Sequence, residues 1–186
     1  MDAILTATAH ILREVGPGGA TTNRIAKRAG VSIGSLYQYF PDKTALYTAV
    51  AQQYVDRIDA ELQRHFERMA TVEVDAMFPA MVEALFAIAR VDAPLGAALQ
   101  SVSLWGQTSG LLMEFRARLE RDFAQLLAAR APDFPIPIVD PETTARVIVR
   151  AVSGIFDATL VGDPEPFTDP RLMEEIIELL SKRFGL

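Results

Sequence analysis

Thr21-Thr22-Asn23-Arg24-Ile25-Ala26-Lys27-Arg28-Ala29-Gly30-Val31-Ser32-Ile33-Gly34-Ser35-Leu36-Tyr37-Gln38-Tyr39-Phe40-Pro41-Asp42-Lys43 reads as two short helices broken at Gly30, with a third helix restarting near Lys43. Thr21 or Thr22 supplies an N-cap for a helix through Ala29, and Gly30 supplies the left-handed residue that ends it. Val31 fills the turn and Ser32 caps the next helix, which runs to about Phe40. Ile25, Ala26 and Ala29 share one face of the first helix, and Val31, Leu36 and Phe40 close the same small core. Ser32, Ile33, Gly34, Ser35, Tyr37, Gln38 and Tyr39 are left pointing outward.

Upstream, Ile4, Leu5, Ile11, Leu12 and Val15 predict an amphipathic helix ended by Gly16-Pro17-Gly18-Gly19. The three short helices together make a helix-turn-helix, whose second member lies in the major groove of DNA while the first crosses the backbone. The outward face suits that use. Gly34 allows close backbone approach, the hydroxyls and the Tyr37 and Tyr39 phenols reach phosphates, Gln38 reads adenine or another base edge, and Ile33 contacts a thymine methyl. Lys43, in the first turn of the following helix, meets a phosphate beside free N–H groups.

Downstream, apolar residues recur at three and four and strand signals are nearly absent, so the fold class is all-α with about nine helices. A long helix is expected from Lys43 to about Met69. Thr71 caps a fifth to about Arg90, and Pro94 and Gly96 bound a short irregular sixth. A seventh runs from about Trp105 to Arg130, and Ala131–Pro137 is a proline-rich loop. Asp140-Pro141 and Asp169-Pro170 each start a helix with an N-cap followed by proline.

The order Ile-Ala, Ala-Gly-Val-Ser, Gly-x-Leu-Tyr-x-x-Phe, Lys and Leu over Thr21–Leu46 resembles the DNA-binding signature of the tetracycline-repressor (TetR/AcrR) family. The resemblance covers roughly residues 1–50. It implies a homodimer whose two heads enter successive major grooves of a palindromic operator, a C-terminal domain that binds a small-molecule inducer, and nine helices. Thr22, Ser32, Gly34, Ser35, Tyr37, Tyr39 and Lys43 fall where family members touch DNA. With Arg28, Ile33 and Gln38 they form the candidate DNA-binding set. Tyr39 stands where histidine is common, and few residues precede the first helix, so contacts from a basic N-terminal arm are not expected. The resulting division is 1–46, a helix-turn-helix DNA-binding domain, and 47–186, a ligand-binding and dimerisation domain.

Composition agrees with two different halves. The 186 residues carry a net charge of −6, but residues 1–50 hold five Lys or Arg against three Asp or Glu, and the remainder thirteen against twenty-one. A mildly basic head thus precedes an acidic body. The absence of cysteine excludes disulfide and thiolate chemistry,. No secretory leader is read at the start, and the apolar stretch Ala76–Ala89 is interrupted by Pro79 and Glu83, well short of the ~20 residues that span a bilayer. A cytoplasmic location without membrane partners is expected.

In the body, Met77, Phe78, Met81, Leu85, Trp105, Thr108, Leu112 and Met113 are the candidate pocket residues for an apolar or aromatic inducer, with Gln100, Gln107, Ser109 or Glu114 as polar partners. Simple core packing explains the same residues equally well at this level. Val147, Ala151, Gly154 and Ala158 form a small-residue stripe, and Ile176, Ile177 and Leu180 an apolar one; they suggest a two-fold four-helix interface, or packing within the chain. His10 and His65 belong to no ligand spacing, so no metal site is expected, and no cofactor motif or nucleophile elbow points to an enzyme. The leading reading is a ligand-responsive DNA-binding regulator, most simply a repressor released by its inducer. A small-molecule-binding or interaction module that has lost operator recognition is the alternative.

Overall fold

The caps at the head form as the residue types require. The computed structural model describes residues 1–104, 109–161 and 170–186, without the side chains of 89–90, 102–104, 109 and 156–161. Helix α1 spans Asp2–Gly19 but is broken at Gly16, whose φ of 65° and ψ of −178° belong to no helix; Pro17 then opens one further turn. Only glycine adopts that φ without strain, so the run of Gly and Pro that ends the regular helix also sets its exit. Thr21 accepts from the Arg24 N–H and opens α2 (Thr22–Ala29), which closes on Gly30 at φ 70°. Ser32 accepts from the Ser35 N–H and opens α3 (Ile33–Tyr39). Asp42 Oδ1 accepts from the Ala45 N–H at 2.7 Å as α4 (Lys43–Met69) begins.

The remaining elements are α5 (Val74–Val91), α6 (Ala93–Leu104), α7 (Ser109–Arg130), a 3-10 turn at Ala131–Asp133, α8 (Pro141–Val161) and α9 (Pro170–Phe184). Among the described residues there are thus nine α-helices and no strand, an all-α fold. Two boundaries differ from the sequence expectation. Thr71 does not cap α5: its hydroxyl donates back to the Glu67 and Arg68 carbonyls, closing the end of α4, and α5 starts at Val74. A Thr hydroxyl can serve either as an acceptor for a following N–H or as a donor to a preceding carbonyl, and here the preceding turn offered the nearer partner. The sixth helix is regular over twelve residues, because Pro94 sits in its first turn, where a missing N–H costs nothing, and Gly96 lies inside it,.

The chain divides into two compact units. The first joins Met1–Arg57 with Asp92–Met113, the second Ile58–Val91 with Glu114–Leu186. In the first, α1 packs on both α2 and α6, and α2 packs on α3. Its core is built from Ile4, Leu12, Ile25, Leu36, Leu46 and Leu99, all at 1% exposure or less. Val15, expected on the apolar face of α1, is 41% exposed, because α1 breaks at the next residue.

Asp92 ties this unit together. Its carboxylate, 9% exposed, takes a two-pronged contact from Arg13 on α1 (2.6 and 2.9 Å) and a third from Arg57 on α4 (3.3 Å). The Asp92 carbonyl accepts from the Gly96 N–H at 2.9 Å, in the first turn of α6. One residue therefore fixes α6 against two helices. One turn further on, α6 passes Tyr54 of α4 so closely that a Cβ on Gly96 would lie 2.6 Å from the Tyr54 hydroxyl. Tyr54 is 8% exposed, and its phenol is pushed up to about 12, first by burial and then by the Asp92 charge, with Arg57 acting the other way.

A prediction follows from this crossing. Gly96→Ala gains ~1 kcal/mol of helix propensity but overpacks the Tyr54 hydroxyl, which costs ~1–3 kcal/mol, so the net change is destabilising. In a Tyr54→Phe background the nearest ring atom, Cζ, lies 3.4 Å from that Cβ, an ordinary contact. There the same substitution becomes neutral or stabilising. Equal costs in the two backgrounds, measured by chemical denaturation, would rule out the hydroxyl as the cause.

In the second unit, α5 packs on α9. Phe78, Phe134 and Phe184 form an aromatic trio at its core, with ring centroids 4.9–5.9 Å apart. Asp140 caps α8 through the Thr143 N–H at 2.9 Å, as the Asp-Pro pair predicts; Asp169 lies outside the described residues. Arg118 and Glu120 were expected in a salt-bridged face of the seventh helix itself. They reach across instead: Arg118 to Asp59 of α4, Glu120 to Arg146 and Arg150 of α8.

Candidate nucleic-acid interface and ligand cavity

The helix-turn-helix buries Ile25, Ala26, Leu36 and Phe40 and leaves Ser32, Ile33, Gly34, Tyr37, Gln38 and Tyr39 exposed, with Ser35 half-buried. The outward set thus stands on one continuous face of α3. Its hydroxyls are held. Thr22 Oγ1 on α2 lies 3.2 Å from the Tyr37 phenol, and Ser32 Oγ lies 2.8 Å from Ser35 Oγ. These contacts fix rotamers that would otherwise be free, which lowers the ordering cost of meeting a partner.

Two of the predicted cations sit elsewhere. The Arg28 guanidinium pairs with Glu14 of α1 at 2.8 Å and lies 3.4 Å from His10 Nδ1, so it reaches α1 and does not join the α3 face. The Lys43 ammonium donates to the Pro17 carbonyl at 3.1 Å and lies 5.1 Å from the Tyr47 ring centroid. An ammonium carries three N–H donors, so this contact leaves capacity for a phosphate.

In the second unit, Leu62, Phe66 and Met69 of α4, Met81, Ala84 and Leu85 of α5, Leu119 and Phe123 of α7, and Ile148, Val149, Val152 and Ser153 of α8 surround a void of about 30 Å³. The Ser153 hydroxyl is the one polar side-chain group in this lining. Of the residues expected to line a pocket, Met81 and Leu85 do so. Met77 and Phe78 are fully buried in the core and are not in this lining, Leu112 is half-buried, and Met113 is 70% exposed. Trp105, Gln107 and Thr108 lie outside the described residues.

The α8–α9 face carries an open apolar groove. Val147 (61%), Ala151, Leu179 (68%) and Leu180 line it, with Ile176 at its floor. Gly154 is exposed with nothing within 4 Å of its Cβ direction, Ile177 is half-buried against the core, and the Ala158 side chain is outside the description.

Residues 4–50 match the family model for bacterial regulatory proteins of the tetR family, and residues 73–182 match the model for the tetracyclin repressor-like C-terminal domain. The chain belongs to the tetR family. Regulators of this family are ligand-responsive DNA-binding repressors, and this family member is a DNA-binding transcriptional regulator. It is 29% identical over 163 residues to the nucleoid occlusion factor SlmA of Mannheimia succiniciproducens, covering 82% of this chain and 72% of that protein. It is also 29% identical over 168 residues to the regulator BetI of Cronobacter sakazakii, covering 87% and 80%. Among solved structures, the multidrug binding protein EbrR complexed with imidazole aligns with a TM-score of 0.74 at 21% identity, covering 100% of this chain and 94% of that one. NalD, the secondary repressor of the MexAB-OprM efflux pump in Pseudomonas aeruginosa, aligns at 0.70 and 20%, covering 97% and 93%.

Several cavity residues of this tetR-family chain carried no signal in the sequence. Leu62, Phe66, Leu119, Phe123 and Val152 come from three helices and look like ordinary core positions in each; only their convergence marks them. Asp92 was equally silent, since its two arginines are 79 and 35 positions away. No group of His, Cys, Asp and Glu able to hold a metal exists among the described residues, and no described helix is long and apolar enough to cross a membrane.

Proposed function

We propose that this tetR-family regulator acts in the cytoplasm as a repressor, binds a palindromic operator as a homodimer through α3, and is released when a small apolar or aromatic inducer enters the second unit. The observation that carries this reading is the exposed face of α3, with its Tyr37 and Ser35 hydroxyls already held by Thr22 and Ser32. Thr22, Arg28, Ser32, Ile33, Gly34, Ser35, Tyr37, Gln38, Tyr39 and Lys43 make the DNA contacts in this reading, within a head of residues 1–46. Residues 47–186 bind the ligand and the second copy.

The inducer enters where Met81, Leu85, Phe66 and Phe123 surround the void, and the apolar lining excludes a charged ligand, because an unpaired buried charge is too costly,. A void of about 30 Å³ holds about one water-sized molecule, so binding requires the flexible Met69 and Met81 side chains to move apart,. The description of EbrR as a multidrug binding protein supports a ligand of this kind. The second copy covers Val147, Ala151, Leu179 and Leu180, side chains that water otherwise meets. Linkage then dictates the response: an inducer that favours a dimer with misplaced heads weakens operator binding by the factor by which operator weakens inducer binding.

The test is selection from a random duplex library with purified protein, at low and physiological salt. Enrichment of a palindrome with half-sites ~34–36 Å apart, or a multiple of that spacing, is expected. Tyr37→Phe removes one hydrogen bond to a charged phosphate, so affinity falls roughly tenfold. Lys43→Ala weakens all sequences alike and lowers the salt slope by about one. Compounds are then screened for release of the selected duplex. Absence of any enriched sequence would leave ligand binding as the whole function and remove operator recognition from the account.

A further inference from the structure

The reading face of α3 carries no charge. Of the five Lys and Arg in residues 1–50, Arg13 lies on α1, Arg24, Lys27 and Arg28 on α2, and Lys43 opens α4; from Val31 to Pro41 there is none. In place of a cation, α3 exposes Ile33, a large aliphatic residue at 39% accessibility, and Gln38. Ile33 and Tyr37 form one i, i+4 row on the helix, Gly34 and Gln38 the adjacent one.

Gly34 has ordinary backbone angles, since only Gly16, Gly30 and Gly185 take positive φ. A Cβ placed on it meets nothing closer than Ser32 Oγ at 3.7 Å. Nothing inside the chain therefore requires glycine there. Its effect is external: between Ile33 and Gln38 the helix backbone can approach a partner more closely than any side chain would allow.

In the major groove, guanine offers two acceptors at O6 and N7, which Arg or Lys meets best. Adenine offers a donor and an acceptor at N6 and N7, which the amide of Gln matches with two hydrogen bonds. Thymine alone among the DNA bases presents a methyl group there, which apolar side chains cover. We propose that α3 reads A·T pairs, with Gln38 paired to an adenine edge and Ile33 packed on a thymine methyl, the missing Cβ of Gly34 setting the depth of approach. The Tyr37 phenol, held by Thr22 of α2, and the Ser32–Ser35 hydroxyl pair remain for the backbone. Arg28 and Lys43, engaged with Glu14 and the Pro17 carbonyl, are anchored away from the base-reading face.

This inference rests on the proposal that α3 enters the major groove, and its test separates the two. The selected operator is expected to carry A·T pairs at the discriminating positions of each half-site. Replacing the contacted thymine by uracil, which lacks the methyl, weakens wild-type binding about fourfold, as expected for one buried methyl. It leaves Ile33→Ala binding unchanged. Replacing the contacted adenine by 7-deazaadenine weakens wild type by about 5- to 150-fold, the range of a two-bond base contact, and leaves Gln38→Ala unchanged. Both side chains are exposed, and melting of each variant followed by circular dichroism verifies that it folds. A half-site discriminated at guanines, and lost in Lys27→Ala instead, would overturn the assignment while leaving the regulator intact. Failure to select any sequence would overturn both.

Discussion

Phe78→Ala is expected to destabilise the second unit by about 4 kcal/mol, within the ~3–5 kcal/mol that truncating a buried phenylalanine costs. Phe78 is fully buried, its ring 4.9 Å from Phe184 of α9 and 5.9 Å from Phe134, which follows the 3-10 turn after α7. The trio joins α5, the proline-rich connection and the end of α9, where the Ile136 N–H also donates to the Phe184 carbonyl. Truncation removes both ring contacts and leaves a cavity that three rigid elements cannot close. Phe78→Leu keeps most of the volume and should cost about 1.5 kcal/mol. Denaturant unfolding of both variants checks the pair of values. From sequence Phe78 was a candidate pocket residue, so the outcome also bears on ligand binding. Altered release by inducer with unchanged stability would place Phe78 in the ligand site and contradict its role in the trio.

Asp92→Ala is expected to cost the first unit about 2 kcal/mol. Removing one partner of a fully buried ion pair costs ~3–5 kcal/mol because the other charge stays behind unpaired. Here the carboxylate is 9% exposed, but Arg13 and Arg57 are 30% and 51% exposed, and water screens the stranded guanidinium groups,. The effect is therefore smaller and should appear as faster amide exchange in α1 and α6, which Asp92 joins.

The same pair predicts a pH dependence. Burial raises the Asp92 pKa, but the hydrogen bonds and charges of Arg13 and Arg57 outweigh it and hold the carboxyl below its ordinary value of 3.8. The unfolded chain then binds the proton first, so the contribution of Asp92 is present above about pH 4 and is lost as pH falls through the folded-state value. The stability difference between wild type and Asp92→Asn should narrow as pH drops from about 5 to 3. A difference that stays constant over that range would mean that the Asp92 charge plays no part in holding α6.

The head was legible because its signals are local. Thr21, Gly30, Ser32 and Asp42 each act through one hydrogen bond or one backbone angle within four residues, so the residue types predict the helix ends. The outward face of α3 follows from the spacing of Leu36 and Phe40 alone. Asp140-Pro141 is of the same kind. Thr71 failed as a cap because a hydroxyl at a helix junction has partners on both sides, and the sequence does not rank them.

What the chain by itself determined is thus the all-helical class, the helix-turn-helix and the residues it exposes, since hydrophobic period and capping are properties of neighbouring residues. What only tertiary structure decided depends on distance in space rather than in sequence. Asp92 brings α6 into the same unit as α1 through partners 79 and 35 residues away. Met77 and Met81 are both methionines one helical turn apart, yet one is packed solid and the other borders a void, according to what α7 and α8 place opposite them. Burial is decided jointly by all the elements that meet at a point, and no single helix carries that information.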